Sequence, residues 1–223
     1  MKVYRIKIHS WTSSFRFPNI ISSYHPTLTV PPISTILGFI NACAGSYLNF
    51  SDLKIGYYFE YESKSIDLET IYQMGNKINN KGLITNINPN VIKREFLYNC
   101  NLYLYLFDDS LIKYFENPFY QLLLGRSYDL ASICEIQCLE LTESEISDKI
   151  KGQIIPFVNF HLPGLIQALP VYFSDEIPRN NIGTQPFSVI DCHSIDLSIN
   201  QNTIFDPSIG KNGVNVYIHE IKY

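Results

Sequence analysis

The chain of 223 residues has no apolar run approaching the roughly 20 residues that cross a bilayer. Its first residues, Met1-Lys2-Val3-Tyr4-Arg5-Ile6-Lys7, alternate like a strand and hold no signal-peptide apolar core. A cytoplasmic protein with no membrane partner is expected. Cysteine is scarce and odd in number, five in all, which argues against a disulfide framework. Cys134 and Cys138 stand four apart on an expected strand, and Cys192 and His193 are neighbours. None of the familiar four-ligand zinc spacings is present, so no metal site is expected and the cysteines read as small buried hydrophobes. A Gly-x-x-x-x-Gly-Lys-Ser/Thr phosphate loop is missing too, and no cofactor is expected.

Charge is also sparse. Charged residues make up 17% of the chain and the net charge is −4, a poor balance for a nucleic-acid binder. The distribution alters that reading. Residues 1–51 hold Lys2, Arg5, Lys7 and Arg16 and no acid. Residues 70–94 hold Lys77, Lys81, Lys93 and Arg94 and no acid. The remainder is correspondingly acidic, so one basic surface on an acidic body is permitted. What the chain holds in quantity is apolar: 46% hydrophobic, with 16 Tyr and 14 Phe. That is enough for a full core, and aromatics favour strands.

The pattern predicts a strand over 2–10, with Tyr4, Ile6 and Ile8 facing a core and Arg5, Lys7 and His9 making a basic face. Residues 11–30 read as a polar extended connection, long enough to suggest binding. Pro31 and Pro32 then suit the first turn of a helix, Ile33, Ile36, Leu37, Ile40 and Ala44 share one face, and Gly45 is a natural cap. A strand is expected over 52–62, a polar excursion over 63–95, and a strand over 96–107. A helical stretch from Asp108 to Leu124, broken at Asn117-Pro118 and ended by Gly125, precedes a last strand over 131–141. The order is βαββαβ, so the predicted fold is α+β: a ferredoxin-like (RRM-like) domain over 1–141, with a polar hairpin excursion inserted at about 63–95. Prolines separate short apolar runs over 142–223, which read as a small β-rich C-terminal region.

Three stretches carry a family resemblance. Thr27-Leu28-Thr29-Val30-Pro31-Pro32-Ile33-Ser34-Thr35-Ile36-Leu37-Gly38-Phe39-Ile40 resembles the helix start of the Cas-five family of CRISPR-associated proteins, within the repeat-associated RAMP superfamily. Arg94-Glu95-Phe96-Leu97 is similar to the family's entry to its third strand. Leu124-Gly125-Arg126-Ser127-Tyr128-Asp129-Leu130-Ala131 looks like its glycine-arginine loop. The matches follow the family's order across residues 4–131, and the pattern looks closest to the I-B-like branch.

The resemblance implies a non-catalytic subunit of a type I surveillance (Cascade) complex in antiviral defence, binding and capping the 5′ handle of crRNA. Implied partners are crRNA, repeated Cas-seven backbone subunits and a Cas-eight-type large subunit, with target DNA reached only indirectly through guide pairing. Cations would hold phosphates and aromatic faces would take splayed bases. The candidate RNA-binding residues are Arg16, Tyr24, His25, Ser34, Lys77, Lys81, Lys93, Arg94, Gly125, Arg126 and Ser127. Each has a plainer reading: Arg126 as the ion-pair partner of Asp129, Arg94 as a salt bridge at the strand entry, Tyr24 packed on the body, Ser34 as a helix-start residue. Residues 96–107 lack the Lys/Arg-Gly-aromatic motif of an open RNA-recognition sheet, which favours recognition by loops and by the protruding thumb hairpin that the resemblance implies at about 63–95. An I-C-like, metal-independent endoribonuclease that processes precursor crRNA is the alternative, but His9 and His25 stand in no Lys-His pair and no catalytic residue is assigned. A purely protein-binding scaffold is the other.

Overall fold

A computed structural model describes residues 1–20, 22–75, 82, 86–157 and 162–222. The elements are β1 (Lys2–Ser13), β2 (Phe15–Arg16), β3 (Tyr24–His25), β4 (Thr27–Leu28), α1 (Ile33–Ala44), β5 (Ser51–Glu60), β6 (Ser63–Met74) and β7 (Ile87–Leu106). A 3-10 turn (Asp109–Leu111) leads into α2 (Ile112–Glu116) and β8 (Ala131–Glu140). The remainder is strand: β9 (Thr142–Ser144), β10 (Ser147–Ile150), β11 (Gln153–Pro156), β12 (Leu165–Phe173), β13 (Asn181–Ile190), β14 (Leu197–Ile199), β15 (Thr203–Asp206) and β16 (Val214–Lys222).

The main sheet runs β8-β1-β7-β5-β16-β15-β9, antiparallel at every pairing. Helix α1 joins β1 to β5, and the turn with α2 joins β7 to β8. The alternation in β1 is what lets one strand serve both sides. Ile6 and Ile8 are fully buried in the core shared with α1, while Val3 joins a second cluster with Tyr103, Tyr105, Ile204 and Val216.

Helix α1 forms where the prolines and glycine dictate. Pro32 precedes it with φ −59°, its carbonyl accepting the first helical N–H groups from Thr35 at 2.9 Å and Ile36 at 3.2 Å. Gly45 closes it in the left-handed region at φ 77°, donating its N–H to the Asn41 carbonyl at 2.9 Å. Between them Ile33, Ile36, Leu37 and Ile40 are buried, each worth roughly 1.5–3 kcal/mol of transfer free energy. Leu169, Val171, Phe187 and Val189, from the separate β11-β13-β12 sheet, share that core.

Several expectations need correction. The expected strand at 96–107 and the return arm of the thumb are one continuous strand of 20 residues, β7, whose outer part pairs with β6 from Met74↔Ile87 to Ser63↔Tyr98. The expected helix over 108–124 shrinks to one 3-10 turn and five helical residues, because Asn117-Pro118 stops it at once and the following segment is held by α1. Phe119 donates its N–H to the Cys43 carbonyl at 3.0 Å and Tyr120 to Ala42 at 3.2 Å. The C-terminal residues are not set apart: β16 pairs with β5, so they extend the main sheet. The molecule is in consequence mostly strand. Among the described residues no helix is long and apolar enough to cross a membrane.

Candidate nucleic-acid interface

One cleft of about 590 Å³ gathers Arg16, Ser34, Arg94, Gly125 and Arg126, five sequence-predicted residues from four separate parts of the chain. Local pairing explains how they meet. β2 and β4 form a short antiparallel ribbon, Phe15↔Leu28 and Arg16↔Thr27, which lays Arg16 beside the start of α1. β3 runs parallel to β7, with Tyr24↔Lys93 and His25↔Arg94 in register, and this brings the thumb base to the same place. The loop after Leu124 closes the far side.

That loop is built on Asp129, whose carboxylate is fully buried. It accepts from the Thr12 hydroxyl at 2.7 Å, the Arg126 backbone N–H at 2.8 Å, and Arg126 Nε and Nη2 at 3.0 Å each. Gly125 lies at φ +131°, and a Cβ there would stand 2.8 Å from both Asp129 Oδ2 and Ser14 N. Glycine is therefore required for the loop to lie on the β1–β2 junction. The Arg126 guanidinium stacks over Tyr128 at 4.3 Å and Phe96 at 5.7 Å. Burial opposes its charge, but the hydrogen bonds and charge of Asp129 outweigh burial and raise its pKa. Its Nη1 is buried with no partner among the described residues.

The other candidates divide. Arg16 is exposed and has no ion pair among the described residues. Arg94 is paired with Glu69 of β6 through Nε. Lys93 and Ser127 are exposed. Tyr24 is on the surface, with its hydroxyl bonded to Glu95. Glu95 also accepts from Thr27 N at 3.1 Å and lies 3.4 Å from Lys64 Nζ. Burial works against the Glu95 charge, yet these partners hold its carboxyl below the usual range. His25 is buried, its Nδ1 without a partner among the described residues. Lys77 and Lys81 lie outside the described residues.

The two basic segments are less free than their composition suggests. Arg5 does not make an exposed basic face: its Nη1 donates to Asp206 Oδ2 at 2.8 Å, and Tyr105 donates to the same oxygen at 2.8 Å. Lys2 and Lys7 lie over Tyr4 and Tyr103 at 5.3 and 5.7 Å. On the thumb, Asp67 of β6 stands opposite Arg94 and Glu69 pairs with its Nε, so β6 offsets that cation, while Lys93 stands opposite Leu68. Asp129 and Glu95, which organise the site, were not among the candidate RNA-binding residues, although the plainer reading of Arg126 already paired it with Asp129. Glu95 directly follows Arg94 and Asp129 lies three residues after Arg126.

Asp191, Cys192 and His193 place one potential ligand atom each within 4.8 Å of one another. The Asp191 carboxylate is already engaged by the Tyr61 hydroxyl at 2.7 Å and the His193 N–H at 2.8 Å. Burial pushes the Cys192 thiol up to about 12, which disfavours the thiolate a metal needs.

The fold is similar to that of solved CRISPR-associated proteins. A chain of a CRISPR RNA-guided surveillance complex matches it with a TM-score of 0.53 and 12% identity, over 96% of this chain and 91% of that one. A CRISPR protein from Archaeoglobus fulgidus matches with a TM-score of 0.50 and 9% identity, over 99% and 100%. No protein-family model matches the sequence, and no curated protein matches it.

Proposed function

We propose that this chain is a Cas-five-type subunit of a type I CRISPR surveillance complex, and that it binds the 5′ handle of crRNA without cutting it. The observation that carries this reading is the cleft: Arg16, Arg94 and Arg126 converge on the first turn of α1, with the Arg126 Nη1 buried and without a partner among the described residues. A phosphate in the cleft would pair with the exposed Arg16, while Tyr128, stacked on Arg126, offers a face to an adjoining base. The strand order β8-β1-β7-β5, with helices between β1 and β5 and between β7 and β8, supports a ferredoxin-like βαββαβ core. The β6–β7 hairpin then takes the thumb position.

Neither His9 nor His25 lines the cleft, which favours holding over cleavage. His9 Nδ1 instead lies 3.3 Å from Asn101 Oδ1 on the sheet. By this reading the remaining partners are the Cas-seven backbone and a Cas-eight-type subunit, in the cytoplasm. The test is binding of handle RNA against scrambled RNA by the purified chain, with a cleavage assay on repeat RNA. Preferential handle binding with intact RNA is expected. Equal affinity for both sequences, or metal-independent cleavage, overturns the reading.

A further inference from the structure

We infer that the outer edge of β8 receives an extended, cationic segment of another protein chain, added to the main sheet as a further strand. β8 ends the sheet and pairs only with β1, so over most of its ten residues the opposite edge carries no strand among the described residues. Such an edge is a row of unpaired N–H and C=O groups that templates strand addition. The addition has already begun. Ala131 donates its N–H to the Leu122 carbonyl at 3.0 Å and Leu123 bridges Leu130, after which the segment before Leu122 turns away and leaves the edge open.

Where it leaves, a groove of about 680 Å³ runs between β8 and the segment after α2. Its far wall is Phe119 and Tyr120, 69% and 57% exposed, with rings edge-to-face at 4.8 Å. Their backbone N–H groups are tied to the last carbonyls of α1, so the wall is preformed. Exposed aromatics along an open edge are what an added strand's alternate side chains need.

Charge selects the occupant. Glu116 and Glu135 line the groove and no Lys or Arg does. Glu116 is exposed with no ion pair among the described residues. Phosphates are therefore disfavoured here and a basic peptide is favoured. The inference stands apart from the RNA reading, whose arginines line a different cleft.

The test uses the full chain and a short peptide alternating valine and lysine. The peptide should slow hydrogen exchange at β8 amides beyond Ala131 and slow alkylation of the exposed Cys134, which lines the groove. A valine–glutamate peptide and single-stranded RNA should do neither. Glu116→Lys should weaken the effect by about fivefold, the size of one exposed charge contact, and leave handle RNA affinity unchanged. Unslowed β8 exchange with the basic peptide, equal slowing by the acidic peptide, or slowing by RNA overturns the inference. Loss of handle binding by Arg126→Ala bears only on the RNA cleft, so the two failures are distinguishable.

Discussion

Arg126 donates Nε to one oxygen of Asp129 and Nη2 to the other, both at 3.0 Å, while its own backbone N–H reaches Oδ2 at 2.8 Å. The aspartate thus fixes both the loop and the direction of the guanidinium. Asp129→Asn cannot accept all of these bonds and leaves a largely buried cation without its counter-charge. We expect a loss of about 3–5 kcal/mol in denaturant unfolding, typical of breaking a buried pair from one side. Handle affinity should fall as well, because the guanidinium is no longer aimed. Unchanged stability in this variant would refute the pairing.

The three cleft arginines should appear in the salt dependence of RNA binding. Each phosphate neutralised on a single strand releases counterions and contributes a slope of about 0.7 in log affinity against log salt. Arg16→Ala and Arg126→Ala together should lower the measured slope by about 1.4, and each alone should cost about tenfold or more in affinity. Lys151→Ala is the control, since Lys151 is occupied by Asp196 at 2.8 Å. An equal effect of the control removes the cleft from the argument.

Gly125→Ala tests the close approach to Ser14. The new methyl would stand 2.8 Å from Ser14 N and 2.9 Å from Ser14 O, at a φ that side chains avoid. A cost of about 1–3 kcal/mol in thermal unfolding is expected, together with weaker RNA binding. Gly38→Ala is the matching control, because nothing lies within 4 Å of a Cβ there, and it should be neutral or slightly stabilising.

Acid should destabilise the fold through His219. Burial lowers its pKa from 6.5 to about 3, outweighing its bond with the Ile154 backbone, and its ring stacks on Tyr57 at 5.6 Å. The folded state keeps the ring neutral while the unfolded chain takes up a proton. Stability contributed here is whole above pH 6.5 and falls as the pH drops from 6.5 towards 3. His219→Phe should flatten that part of the stability–pH curve. An identical curve in wild type and variant would remove His219 as its cause.

Much of this was legible in the sequence, for local reasons. Helix α1 announces itself through Pro31-Pro32 and Gly45 because those residues act on their own backbone. β1 and β7 show in their alternation because one face of each packs on the apolar core beneath α1 while the other carries polar and tyrosine side chains. Charge was less legible. Arg5 read as a free cation and Arg94 as either an RNA contact or a salt bridge, and only pairing in space reveals Asp206 and Glu69 as their partners. The stretch after Asp108 read as helix from its composition, yet α1 captures the backbone of Phe119 and Tyr120 and draws it out of that path. The cleft itself was legible as a set of residues. Its geometry waited on the parallel contact of β3 with β7, a long-range pairing that no local pattern signals.

The length of β7 has a mechanical consequence. Its 20 residues run from the thumb to the centre of the sheet as one strand, a span of at most roughly 65 Å at strand rise, with a single left-handed residue, Asn99 at φ 52°, where pairing passes from β6 to β5. The thumb is therefore joined to the core through one bulged strand position rather than through a loop. Its aim is set by the twist of the sheet beneath it, and a load on the hairpin pulls in line on a strand clamped between β1 and β5. Whatever grips the thumb tugs on the core of the molecule.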